Sequence, residues 1–197
     1  MVTTFKKNVR GKVFIEYVPI ESSWLPIIGK NFMVINCFWV SGQFKGQGNG
    51  KKLIQQCLKD AKNMDGIIAV SSDKKRPFMS DPKFLKYNGF EIIDEAKPFF
   101  KLWGLKTNSN ATFPKFMESA KTGTCANKKG ITAYYSNTCP FTDYYTNQLL
   151  REYAEKKNVP LTIKHIKNKK DGHKMPIPWI INSVFLQGRI SNLRNES

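Results

Sequence analysis

Two stretches of the chain hold residues whose types and spacing suit chemistry. The first is "VSGQFKGQGNGKKL" (residues 40–53), where Gly42, Gly46, Gly48 and Gly50 fall within nine residues and Lys45, Lys51 and Lys52 add positive charge. Glycines let a backbone approach an anion closely, and a helix that starts after them turns its free N–H groups toward it. The spacing is neither that of a P-loop, since no G-K-[ST] follows, nor G-x-G-x-x-G. On spacing alone a phosphate cradle and a plain tight turn both stay open. The second stretch is "YYSNTCPFTDYY", which places Cys139 after an extended run and at the start of a helical one. That position favours a thiolate through the helix dipole and the unpaired N–H groups. The remaining cysteines, Cys37, Cys57 and Cys125, form no C-x-x-C pair, and His165 and His173 complete no zinc-ligand set, so no metal is expected.

The elements that must position these residues follow from periodicity. "GKVFIEYVPI" (11–20) reads as a strand with Val13, Ile15 and Tyr17 on one face and Phe14, Glu16 and Val18 on the other. "FMVINCFWV" (32–40) is almost wholly apolar, as in a strand covered on both faces. After the glycines, Leu53, Ile54, Cys57, Leu58 and Ala61 recur at helical spacing with Lys and Gln opposite. A short strand (67–71) comes next. A compact helix follows, with Asp81 as N-cap, Pro82 in its first turn and Asn88–Gly89 at its end. Strands are expected from Gly89 and over 97–106. Residues 107–129 lose periodicity and read as a linker with a short helix at 114–120. A second β-α-β pattern follows: a strand at 130–136, a helix from Phe141 or Thr142 to Lys157, and a strand at 160–166. Tyr145, Leu149, Tyr153 and Ala154 are the candidates for that helix's inner face. "NSVFLQGRIS" (182–191) reads as a hairpin turning at Gln187–Gly188.

Composition bounds the class. With 41% hydrophobic residues in 197, packed cores are expected and general disorder is excluded. The formal charge of +17 would suit a polyanion, but it is carried by 27 Lys and only 5 Arg and is spread evenly along the chain. A nucleic-acid arm would concentrate it, so nucleic acid is not the expected partner. No run approaches the ~20 apolar residues of a membrane span, and the N-terminus lacks a signal-peptide core, so a cytoplasmic protein with reduced thiols is expected.

"INCFWVSGQFKGQGNGKKLIQQCLKDA" resembles the acetyl-CoA motif of the GCN5-related N-acetyltransferases, and "FLKYNGFE" resembles the family's later helix that ends at Gly-Phe. The combination with "GKVFIEY" resembles one branch, which carries a YoaP-type domain at its C-terminus. The resemblance covers nearly the whole chain. It implies an α+β mixed sheet with flanking helices over residues 1–106, then a small α/β thioredoxin-like domain over 130–197. It also implies transfer of an acetyl group from acetyl-CoA to an amine on a small molecule or peptide. The cofactor-binding run is Lys45, Gly46, Gln47, Gly48, Asn49, Gly50 and Lys51, with Lys45 where the family usually has Gln or Arg. Backbone groups of Phe38, Trp39 and Val40 would hold the pantetheine arm and the oxyanion.

Two departures stand out. Only ten residues precede the strand at 11–20, where the family usually has a strand and two helices. The chain therefore reads as truncated, with a homodimer as one way to wall the acceptor side. Many members also carry a Tyr four residues before the Gly of Gly-Phe, to protonate the leaving thiolate. Here that residue is Leu85, and Tyr87 lies about 200° around the helix. For the base, Glu16 and Glu21 are the acidic candidates. Burial would make Glu16 more basic, and the alternative is an edge carboxylate paired with Lys. Cys37 and Cys57 read as small buried hydrophobes. Cys139, with Thr142 where a second Cys would stand, resembles a single-thiol glutaredoxin-like site, and Pro178 would be the cis proline facing it. A CoA-binding protein without transfer activity, and a thiol-redox protein acting through Cys139, are the alternatives.

Overall fold

The computed structural model describes residues 2–4, 11–139 and 141–191, which fall into two compact units. The first comprises the described residues of 1–23, 27–95 and 99–115, and the second those of 24–26, 96–98 and 116–191.

The first unit begins with β1 (Val2–Thr4) and β2 (Val13–Pro19), then a short strand β3 (Ile27–Ile28) and the long strand β4 (Phe32–Val40). Helix α1 (Asn49–Asp60), β5 (Gly66–Ser72), α2 (Pro82–Tyr87), β6 (Glu91–Ala96) and β7 (Phe100–Lys106) follow. Six of these strands form one mixed sheet in the order β1-β2-β4-β5-β7-β6. β4 and β5 run parallel, while β2 is antiparallel to β4 and β7 antiparallel to β5. All seven residues of β5 are buried, as are the first four of β4, which explains the apolar runs Ile67–Val70 and Phe32–Ile35. β2 alternates as read from sequence, with Val13, Ile15 and Tyr17 buried. β1 went unforeseen; it pairs with Phe14–Glu16 of β2.

α1 lays Leu53, Ile54, Cys57 and the following Ala61 against Ile15, Tyr17, Met33, Ile35 and Ile67 in one apolar cluster. Burying each of these large aliphatic side chains is worth about 1.5–3 kcal/mol, so tertiary packing, more than propensity, holds the helix. α2 starts as expected. The Asp81 carboxylate accepts the Lys83 N–H at 2.9 Å, and Leu85 is buried.

Short elements β8 (Lys115–Phe116) and α3 (Glu118–Lys121) precede the second sheet. Phe116, Ala120 and Cys125 are buried, so this stretch is packed rather than loose. β9 (Ile131–Tyr135) is followed by a fifteen-residue helix in three phases: α4 (Thr142–Tyr144), a π-helical stretch (Tyr145–Leu149) and α5 (Leu150–Lys156). Then come β10 (Leu161–His165), α6 (Lys169–Gly172), β11 (Asn182–Leu186) and β12 (Arg189–Ile190). The sheet order is β10-β9-β11-β12, with β9 and β10 parallel and the hairpin antiparallel. Gln187 and Gly188 both have positive φ, the signature of a type I′ turn at the expected place.

Of the four residues expected on the inner face of the long helix, only Ala154 is there. Tyr145, Leu149 and Tyr153 are exposed, and Thr142, Thr146 and Ala154 are buried. The polar pair is tolerated inside because it is bonded. The Thr142 hydroxyl donates to the Ser136 and Cys139 carbonyls (2.6 and 2.8 Å), and the Asn182 amide donates to the Thr146 hydroxyl (3.3 Å).

Candidate functional site

The site begins with an irregularity in β4. Glu16 pairs with Cys37 but Tyr17 with Ile35, so Asn36 is an extra residue, a β-bulge. It resets the strand's facing. Met33 and Ile35 join the α1-side cluster before it, and Phe38 and Val40 join after it. At the same place β4 and β5 part. Their register runs from Phe32↔Gly66 to Ile35↔Ala69, after which β4 continues to Val40 and β5 to Ser72 without pairing to each other. The β4 edge over residues 36–40 that faces β5 is therefore open, while its other edge stays paired to β2. An open edge offers a row of backbone donors and acceptors to an amide-bearing ligand.

The glycine loop follows Val40. After a 3-10 turn (Gly42–Phe44), Gly46 and Gly48 adopt φ of +74° and +73°, the left-handed region that glycine enters without strain. A side-chain carbon built on either would meet nothing within 4 Å. Gly48 is the N-cap of α1 and has no side chain to cap it; the first α-helical bond runs from Lys52 N–H to the Gly48 carbonyl at 3.1 Å. The N–H groups of the first turn, at the positive end of a twelve-residue helix, thus have no capping side chain. Lys45, Gln47 and Lys51 are exposed beside it. Two side chains in the run are committed to the loop itself. The buried Asn49 amide donates to the Phe44 carbonyl (3.0 Å), and the Gln47 amide to the Gln43 carbonyl (2.9 Å). Gly50 has a packing reason, since a Cβ there would meet the Phe84 ring at 2.9 Å; Phe84 in turn lies 5.0 Å from the Phe38 ring. Trp39 points away, half exposed, with its indole donating to the Ser41 hydroxyl at 3.3 Å.

The acid–base candidates separate. Glu16 lies at the bulge, half-buried, with the Asn36 amide 3.5 Å from its carboxylate. Glu21 lies beyond the other end of β2 and accepts the Asn31 N–H at 2.7 Å, so it is remote from the strand opening. Tyr87 is 80% exposed, on the outer side of α2, whereas Leu85 is 2% exposed. Cys57 is buried as expected, and burial, with the Asp60 charge adding to it, pushes its thiol up to about 12. Cys37 is half-buried rather than enclosed, because the bulge takes it off the packed α1 face. A groove of about 440 Å³ lined by Tyr17, Pro19, Met33, Lys59, Asp60 and Lys62 lies at the far end of α1 from the glycines. There the Tyr17 hydroxyl and the Gln56 amide both donate to Asp60.

In the second unit Cys139 is half-buried just before α4, and its carbonyl accepts both the N–H (3.2 Å) and the hydroxyl of Thr142. Pro178 is not preceded by a cis bond; the cis X-Pro bond among the described residues is Lys97–Pro98. The 175–178 segment bends and is pinned by its buried side chains and one carbonyl instead. Met175 and Ile177 are buried, and the Pro176 carbonyl accepts from Gly123 N–H and the Thr122 hydroxyl. Among the described residues no group of three or more His, Cys, Asp or Glu side chains could hold a metal ion, and no helix is long and apolar enough to cross a membrane.

No family model matches the chain. A curated relative does: YoaP of Bacillus subtilis (strain 168), an uncharacterized N-acetyltransferase, is 43% identical over 187 residues, covering 94% of this chain and 74% of the relative. Among solved structures, the ribosomal-protein-S18-alanine N-acetyltransferase of Escherichia coli is similar with a TM-score of 0.40 and 9% identity, over 57% of this chain and 74% of that one. The GNAT family N-acetyltransferase YhbS of Escherichia coli, solved with CoA, has a TM-score of 0.34 and 15% identity, over 55% of this chain and 60% of that one.

Proposed function

The chain belongs to the N-acetyltransferase family of YoaP, an acetyl-CoA-dependent acyltransferase family, and we propose that it transfers an acetyl group to an amine at the opening between β4 and β5. The observation that carries this is the coincidence of an uncapped helix start with an open strand edge directly before it. The residues fit the ligand. Gly46 and Gly48 leave the space a Cβ would fill, and the first-turn N–H groups of α1 would hold the pyrophosphate, with Lys45 and Lys51 adding charge. The open edge of Phe38–Val40 would hold the pantetheine amides and donate an N–H to the acyl oxygen. Acetyl-CoA supplies the activated acyl group as a thioester. Glu16, at the bulge on the face away from α1, would take the proton that the amine loses. The acceptor is an amine on a small molecule or a peptide, and a second copy of the chain is one way to wall its side of the site.

The test is thiol release from acetyl-CoA over a panel of small-molecule and peptide amines. Release that depends on the amine, and that falls in Glu16→Gln without loss of acetyl-CoA binding, supports the reading. Binding without release on any amine favours a CoA-binding protein that has lost transfer.

For the second unit we infer a thioredoxin-like module. The order β10-β9-β11-β12, with a parallel β-α-β followed by an antiparallel hairpin, supports it, as does Cys139 between β9 and the helix. Thr142 stands where a second thiol would, and its hydroxyl is tied to the loop, so chemistry there would be that of a single thiol forming mixed disulfides. Alkylation of Cys139 as a function of pH tests this; a midpoint at the ~8.5 of a free thiol speaks for a binding module instead.

A further inference from the structure

Trp103 on β7 pairs with Ala69 of β5, and Ala69 is the last residue of β5 that pairs with β4. Cross-strand partners share a face. That face is the one covered by α1 and α2, because Ala69, Trp103, Leu53, Leu85 and Phe90 belong to one buried cluster. Trp103 is 5% exposed, and its indole N–H is shielded from solvent with no hydrogen-bond partner among the described residues. A buried donor without an acceptor costs about 1–3 kcal/mol, a cost that Phe at the same place would not incur. Even the half-exposed Trp39 has a partner for its indole. The orphaned donor therefore marks a place where an acceptor is missing.

The vertex of the opening explains which acceptor. From Val40, where the glycine loop begins, back to Asn36 the open edge of β4 spans roughly 13 Å, so the vertex is the end remote from the phosphate cradle. A ligand anchored by its phosphates at the loop presents its far end there, level with Ala69 and Trp103. Ala69 carries only a methyl group, which leaves an indole room to lean across β5, a strand spacing of about 4.8 Å. The other side chains on this face are no help. Leu85 is apolar, Tyr87 points to solvent, and the Ser71 hydroxyl is committed to the Ser80 carbonyl at 2.5 Å.

We propose that the Trp103 Nε1–H donates a hydrogen bond to the thioester sulfur of bound acetyl-CoA and stabilises it as the thiolate departs. This rests on the reading of the β4–β5 opening as the acetyl-CoA site. As the amine nitrogen bonds to the carbonyl carbon, the C–S bond breaks and its electron pair goes to sulfur. Trp103 keeps its proton throughout, because an indole is far too weak an acid to give it up. The proton lost by nitrogen leaves on the opposite face, where Glu16 lies. Attack and departure are thus served from two sides of the sheet.

The test uses the full chain labelled with ¹⁵N. Its four tryptophans give four indole signals, and Trp103→Phe identifies one by its loss. On titration with acetyl-CoA and with CoA, the Trp103 indole proton is expected to move downfield and exchange more slowly, together with the backbone amides of Gly46 and Gly48. If those amides respond and the Trp103 indole does not, the inference is overturned and the site stands. If no signal responds, the site reading falls and this inference with it. In turnover, Trp103→Phe is expected to lower kcat by roughly tenfold or more, the worth of a hydrogen bond to a charged group, with the KM for acetyl-CoA within about twofold. An unchanged kcat in a folded variant also overturns it.

Discussion

Gly48→Ala separates the backbone cost of the loop from its use. Gly48 sits at φ 73°, ψ 0°, and a methyl group there meets no atom of the protein. The variant therefore carries no clash, only the left-handed penalty of roughly 1–2 kcal/mol. In a chain of this size that lowers Tm by about 2–8 °C, at 2–4 °C per kcal/mol. The effect on ligand binding is of another kind, since the methyl group occupies the space through which an anion must approach the α1 N–H groups. At acetyl-CoA a hundredfold above its Kd the natural chain gains about 2.7 kcal/mol, or roughly 5–11 °C. If the methyl group weakens binding a hundredfold, the same concentration gives about 0.4 kcal/mol and a shift of about 1–2 °C. Thermal unfolding with and without acetyl-CoA measures both quantities. Gly42→Ala, also in open space but without a positive φ, serves as the control and should keep the full shift. A Gly48→Ala protein that is stabilised by acetyl-CoA as much as the natural chain would refute the cradle.

Three further outcomes are expected. The Cys57 thiol, raised from 9.0 to about 12 first by burial and then by Asp60, stays protonated in the folded chain while the unfolded thiol ionises. Its contribution to stability is therefore whole below pH 9 and is lost from pH 9 to 12 at about 1.4 kcal/mol per pH unit. Denaturant melts of the natural chain and Cys57→Ala over this range should show the steeper fall in the natural chain. Gly50→Ala should destabilise by about 1 kcal/mol, because crowding Phe84 at 2.9 Å outweighs the helix propensity gained; Phe84→Leu in the same chain should restore it, and equal stability of the two variants would count against the crowding. Tyr145→Ser should change stability by no more than about 0.5 kcal/mol, whereas Ala154→Leu should cost about 1–3 kcal/mol, and the reverse ranking would mean that the helix sits the other way round.

What could be read in advance depended on whether one signal was left without a rival. The apolar run 32–40, the Asp81 cap and the Gln187–Gly188 turn each stand where expected, although β4 is covered on both faces only over its first four residues, because its outer half leaves β5. The long helix had two stripes at the same spacing. Tyr145, Leu149 and Tyr153, read together with Ala154 as the inner face, compete with Thr142, Thr146 and Leu150, and hydrophobicity favoured the first; of that set only Ala154 is buried. What decided for the second was hydrogen bonding by Thr142 and Thr146, which periodicity does not register. At the site, the glycines and the helix after them were legible, and the bulge was not. Asn36 is the one polar residue of the run, but a lone polar side chain in an apolar strand does not tell a bulge from an outward-facing position. Glu16 stands apart from Glu21 in sequence as the mid-strand carboxylate, and the strand pairing adds that it lies at the bulge while Glu21 lies beyond the other end of β2. The orphaned Trp103 indole was likewise invisible, because partnership is a property of the folded neighbourhood.

The bulge has a consequence for how such a site can arise or vanish. If Asn36 paired in line with its neighbours instead of bulging, the outer half of β4 would turn over. Cys37 and Trp39 would then face α1, and Phe38 and Val40 would face outward. The alignment that ends the pairing with β5 at Ala69 would also be lost. Deleting the codon for Asn36 would, by contrast, leave Cys37 opposite Glu16 and Phe38 opposite Ile15, with the same side chains facing α1, and would remove the irregularity alone. Insertions and deletions, usually confined to surface loops, are here a route by which a closed sheet becomes a ligand-binding one.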